Sequence, residues 1–163
     1  MSLIKEIDIR NRELAEEVLK VQIPSYMVEA EIIGFSDIPP LKDTVDTLQQ
    51  CGETFFGYYI DEELCGAISI KVEMGEIDIH RLIVHPDHFR NGIAQRLLDF
   101  VEFNIECKEE IEIIKVSTGF KNAPAVSLYI KNGFHKVDEV RVNEQLSLTF
   151  FEKKKLNNGG DEL

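Results

Sequence analysis

Residues His85 to Phe100 read HPDHFRNGIAQRLLDF, so the turn Phe89-Arg90-Asn91-Gly92 runs straight into a helical repeat. Ile93, Leu97, Leu98, Val101 and Ile105 keep the spacing of one apolar helix face. The helix therefore opens on a glycine, with no side chain to cap the N–H groups of its first turn. Donors left open at the positive end of a helix dipole hold anions, most often phosphate. Gly92 lets the backbone approach a ligand closely, Ala94 keeps the first turn small, and Arg90 adds a cation.

A second group lies just upstream, in the strand-like EIDIHRLIV from Glu76 to Val84. Strict alternation would put Asp78, His80, Leu82 and Val84 on one face, and Ile77, Ile79, Arg81 and Ile83 on the other. Asp78 and His80 are candidate bases. An ammonium ion with a pKa of about 10 has no lone pair to attack with, and a carboxylate or imidazole can remove its proton. They are otherwise ordinary polar residues on a half-exposed strand. Tyr129, in the later stretch NAPAVSLYIKNGF, is either a buried amphipathic aromatic or a proton donor. The set His80, His85, His88, Asp78 and Asp87 matches no metal-ligand spacing, so no metal is expected.

The elements that must position these residues alternate in type. IKEIDIR reads as a first strand, and Asn11 caps a helix expected over Arg12 to Val21 and broken by Pro24. Ser25 to Pro40 reads as irregular, and a second helix is expected over Leu41 to Gln50. TFFGYYI, LCGAISIKVE and EIDIHRLIV form an antiparallel meander. The phosphate-type helix follows, then the strand IEIIKVS (Ile111 to Ser117). Strand, helix, strand implies one parallel pair in a mostly antiparallel sheet. Asn122 starts a short helix that stops at Asn132-Gly133, and a closing hairpin ends the domain. The expectation is a single α+β domain over residues 1–156, with a disordered tail over 157–163.

Composition narrows the class. The chain has 163 residues, 44% of them hydrophobic, with 30 acidic against 18 basic side chains and a net charge of −12. Such a charge repels nucleic acid and anionic membranes, and leans towards cationic partners. No signal peptide or membrane span is read, so a cytoplasmic protein is expected. Cys51, Cys65 and Cys107 form no CxxC pair, so neither a disulfide framework nor a cysteine metal site is expected.

The order strand, HPDHFRNGIA, helix, strand, NAPAVSLYIKNGF resembles the GNAT superfamily of N-acetyltransferases, over roughly Gly57 to Val137. The resemblance implies a twisted sheet with a central V-shaped splay and helices on both faces. It implies that acetyl-CoA is bound by Arg90, Asn91, Gly92, Ile93, Ala94 and Gln95 around its diphosphate. Phe89 stands where the family usually has Arg or Gln. Backbone groups of Leu82, Ile83 and Val84 would pair with the pantetheine arm, beside Asn122 and Tyr129. By the same resemblance Tyr129 protonates the leaving thiolate and Asp78 or His80 is the base. The segment holding Tyr26 and Glu29 lies where the acceptor pocket is shaped. The implied partner is a small-molecule or peptide amine, and a homodimer is left open. A non-catalytic CoA-binding sensor is the alternative reading.

Overall fold

The computed structural model describes residues 1–105 and 110–155. Its strands are Ser2–Ile7 (β1), Thr54–Ile60 (β2), Glu63–Glu73 (β3), Glu76–Val84 (β4), Ile113–Gly119 (β5), His135–Arg141 (β6) and Ser147–Lys154 (β7). They form one sheet in the order β1-β2-β3-β4-β5-β7-β6. Every neighbouring pair is antiparallel except β4 and β5. The helices are Arg12–Ile33 (α1), Val45–Gln50 (α2), Ile93–Phe100 (α3) and Ala123–Lys131 (α4). A π-helical turn over Val101–Ile105 prolongs α3.

Two apolar clusters sandwich the sheet. Ile93, Leu97 and Leu98 of α3 join Tyr129 of α4 on one face, against Ile68, Ile70, Ile77 and Ile79. Val18, Val21, Tyr26 and Ile33 of α1 join Leu48 of α2 on the other, against Phe55, Ala67 and Ile83. The expected α+β architecture with helices on both faces is therefore present. Residues 157–163, expected to be disordered, lie outside the described residues, as does Cys107.

Several local expectations are corrected. The first helix does not end at Val21 and residues 25–33 are not irregular, because α1 carries Pro24 in its interior and runs on to Ile33. An interior proline costs about 3 kcal/mol. Tyr26, Ala30 and Ile33 beyond it are buried, and burying one large apolar side chain returns about 1.5–3 kcal/mol. Lys20, whose carbonyl loses its helical donor at Pro24, is solvent-exposed, so water can satisfy it. Gly34, in the left-handed conformation at φ 75°, ends the helix. The second helix is split into a 3₁₀ turn over Pro39–Lys42 and α2, which Thr44 starts with a capping box to Thr47. The fifth strand lies two residues later than expected, at Ile113–Gly119.

The register of β4 matters most. Ile70 stands opposite Ile79 and Ser69 opposite Arg81, so His80 has no partner on β3. This is a β-bulge, and it reverses the alternation of every residue beyond it. Asp78, His80, Leu82 and Val84 thus do not share a face. Ile77 and Ile79 pack with α3, and so do Leu82 and Val84, while Ile83 packs with α1.

Candidate functional site

The parallel pairing of β4 with β5 runs only from Glu76 opposite Ile113 to Ile79 opposite Val116. Beyond it β5 stays paired to β7 as far as Gly119, and β4 stays paired to β3 as far as Val84. The facing edges diverge and leave main-chain groups open, which is the expected V-shaped splay. Val84 illustrates the result, since its N–H points away from β3 and donates to Ser25 Oγ at 3.4 Å. Strand alternation aims the Leu82 N–H the same way.

A cleft of about 690 Å³ follows this splay. At one end lies the start of α3. Gly92 is its N-cap, left-handed at φ 73°, and no side chain caps the helix. A Cβ on Gly92 would meet nothing nearer than Arg96 Nη1 at 3.9 Å, so the space in front of the turn is open. Arg90 is also left-handed, at φ 67°, and lines the cleft with Gly92, Ile93, Ala94 and Gln95. Asn91 is exposed but does not line it, and its carbonyl accepts from Arg96 Nη1 at 3.0 Å. The Gln95 amide is committed elsewhere. It exchanges bonds of 2.6 and 2.9 Å with the Asn132 side chain and so ties α3 to the end of α4.

Midway lies Tyr129. Its ring packs against Phe134 and Phe151 at centroid distances of 5.7 and 5.8 Å. Burial, followed by the nearby charge of Glu29, pushes its hydroxyl well above the usual tyrosine range. It therefore stays protonated at any physiological pH. Asn122, also buried, lines the same cleft from the start of α4, accepting from the Ala125 N–H at 3.3 Å as its cap and donating to Thr118 Oγ1 at 3.3 Å.

The other end belongs to α1. Tyr26 and Glu29 line the cleft from the layer opposite Tyr129, because the splay lets the two layers meet. Burial raises Glu29 above the usual carboxylate range, and burial with Glu29 raises Tyr26 as well. His80 and Leu82 line the wall between these ends, while Ile83 and Asp78, like Asn91, do not line the cleft. Ile83 is 1% exposed and faces the α1 core, and Asp78 stands beside His80, with its Oδ2 3.5 Å from Nε2.

Other lining residues escaped sequence reasoning. Ser25 does so because Pro24 reads as a helix end. Arg81 does so because alternation buries it, whereas the bulge turns it into a buried ion pair with Glu53 and a 3.0 Å contact to Asp43. His80 stands apart from the other two: it faces Asp78 and Glu53, whereas the rings of His85 and His88 meet edge-on at 6.3 Å, with His85 also facing Asp87 and His88 facing Glu63.

A splayed parallel pair with an uncapped helix start at its mouth is the arrangement that the sequence resemblance implied, and the comparisons agree. A sequence model of the acetyltransferase (GNAT) domain matches residues 51–136. The chain belongs to the GNAT acetyltransferase family, within the transferases. It is 43% identical over 149 residues to the UPF0157 protein YqkA of Bacillus subtilis, which covers 91% of this chain. The chain spans only 43% of that relative's length. It is 27% identical over 130 residues to a streptothricin acetyltransferase of Escherichia coli, covering 78% of this chain and 73% of that one. Its fold is similar to the PaiA N-acetyltransferase of Thermoplasma acidophilum in complex with coenzyme A. That match has a TM-score of 0.78 at 22% identity, over 95% of this chain and 99% of the other. Among the described residues no helix is long and apolar enough to cross a membrane.

Proposed function

We propose that this protein transfers an acetyl group from acetyl-CoA to a primary amine, directly, with both substrates bound together. The observation that carries the reading is the single cleft joining an uncapped helix start, an open strand edge and a buried, protonated tyrosine. The chain's groups suit the coenzyme. The N–H groups after Gly92 suit a diphosphate, Arg90 adds a charge, and the open edge at Leu82 and Val84 suits a pantetheine amide. Acetyl-CoA supplies an acetyl group activated as a thioester.

The chain's own groups handle the charge and the protons. The Val84 N–H, held only by a 3.4 Å bond to Ser25, can instead donate to the thioester oxygen as negative charge develops there. One such donor is worth about 3–4 kcal/mol in comparable sites. His80 takes the first proton of the ammonium, which frees the lone pair for attack on the carbonyl carbon. Tyr129 gives its proton to the sulfur as the C–S bond breaks. The second proton of the attacking nitrogen restores the Tyr129 hydroxyl, so one proton in all is released to solvent. Glu29 and Tyr26 favour an acceptor that is cationic, in line with the net charge of −12.

The test is Tyr129→Phe, assayed for coenzyme affinity and for thiol release against a panel of amines. Intact affinity with turnover lowered by about 10²–10⁴-fold supports the reading. A parent protein that binds acetyl-CoA and acetylates no amine would instead favour a coenzyme sensor.

A further inference from the structure

We propose that Glu53 is a positioning residue that holds His80 as the amine-activating base, an assignment that rests on the acetyl-transfer reading above. Glu53 immediately precedes β2, and its side chain is only 7% exposed. Its two oxygens are unequally committed. Oε1 accepts from Ser69 Oγ at 2.6 Å and from Arg81 Nη1. Oε2 faces His80 Nδ1 at 3.6 Å.

The bulge in β4 creates this meeting. His80 is the unpaired residue of the bulge, while Ser69 and Arg81, the pair immediately beside it, fix the carboxylate. A carboxylate pinned through one oxygen has little freedom left, so the other sets the ring. Glu53 so placed favours the tautomer with its proton on Nδ1 and leaves Nε2, on the Asp78 side of the ring, to accept from the ammonium. The N–H bond of the ammonium breaks, the new bond forms at Nε2, and the imidazolium stands between two carboxylates. Asp78 Oδ2, 3.5 Å from Nε2 on a half-exposed side chain, is the exit to solvent. In hydrolase triads a carboxylate hydrogen-bonded to Nδ1 orients and stabilises the imidazolium, and Glu53 Oε2, at 3.6 Å, stands on the corresponding side of the ring.

The remaining charges around His80 have fixed partners or stand further off. Arg81 lies behind Glu53 and also pairs with Asp43. Lys115 of β5 stands opposite Asp78 but is paired to Glu76 at 2.8 Å, and Glu29 of α1 shares the cleft.

The experiment compares Glu53→Gln, Glu53→Asp and Asp43→Asn with the parent. The readouts are kcat, KM and the pH profile of kcat/KM. Asp43→Asn also perturbs the buried Arg81 pair but leaves Glu53 against His80. Glu53→Gln should lower kcat about 10- to 100-fold, part of the 10²–10⁴-fold or so that a general base contributes, with KM for acetyl-CoA unchanged. Losing an adjacent anion disfavours the imidazolium formed in the reaction, so the acid limb of kcat/KM should move to lower pH. Glu53→Asp should recover part of both, and Asp43→Asn should keep the parent profile. Equal effects from Asp43→Asn and Glu53→Gln would mean a merely structural network and overturn the assignment. An active parent with an indifferent Glu53→Gln overturns the role of Glu53 alone. A parent without turnover overturns the acetyl-transfer reading and the base role together.

Discussion

Gly92 permits a prediction in which stability and ligand affinity change differently across two variants. At φ 73° any L side chain is strained, and the penalty is about 1–2 kcal/mol. No steric clash adds to it, because the nearest atom to a built Cβ is 3.9 Å away. Gly92→Ala should therefore lower stability by about 1–2 kcal/mol. For a chain of this size that is a fall in Tm of about 2–8 °C. Gly92→Asp should lose less, since aspartate tolerates the left-handed region and its charge interacts favourably with the helix dipole by about 0.3–1 kcal/mol. For the coenzyme the order reverses. A carboxylate at the cradle stands about 4 Å from a diphosphate charge, a repulsion of about 1 kcal/mol in bulk water and about 4 kcal/mol at a protein surface. That is roughly a five- to nearly a thousandfold loss in affinity, against a smaller loss for alanine. Calorimetric acetyl-CoA titration and thermal melts of the three proteins read both quantities. If Gly92→Asp binds acetyl-CoA at least as tightly as Gly92→Ala, the diphosphate does not sit at this helix start and the reasoning fails.

Alkaline stability should report the two buried tyrosines. Tyr129 and Tyr26 are raised by burial in the fold but ionise near pH 10 when unfolded, so above that pH the unfolded state holds fewer protons. Stability is then fully present below about pH 10 and falls above it by about 1.4 kcal/mol per pH unit for each tyrosine, and urea melts of Tyr129→Phe should show a shallower fall. Glu29→Gln should raise KM for dicationic amines several-fold while leaving acetyl-CoA affinity unchanged, and an unchanged ratio between dicationic and monocationic amines would remove Glu29 from acceptor recognition. Gly66→Ala should destabilise by about 1–3 kcal/mol in urea melts, because its Cβ would lie 2.8 Å from Ile93 Cγ2 and 2.9 Å from the Ile83 carbonyl.

Features that depend on near neighbours in the chain are legible in the sequence. Gly92 before a 3.6-residue apolar repeat makes an uncapped helix start wherever the helix lies. Asn122 and Gly133 bound α4, and a strand-helix-strand order requires a parallel pair. Motif resemblance carried Tyr129 to the cleft as well, since LYIKNGF reads as one unit. What the tertiary structure decided depends on contacts between distant segments. The bulge at His80 exists only in the pairing of β4 with β3, and it sets Leu82 and Val84 on a different face from Asp78, turns Arg81 to the α1 side and brings His80 to Glu53, 27 positions earlier in the chain. Pro24 reads as a helix end until the buried face of α1 continues through it, because packing against the sheet outweighs the missing hydrogen bond. That continuation sets Ser25, Tyr26 and Glu29 along the cleft. A local pattern carries the energies of its own turn or helix, whereas the choice of which side chains meet across the splay is made by the burial of the whole sheet.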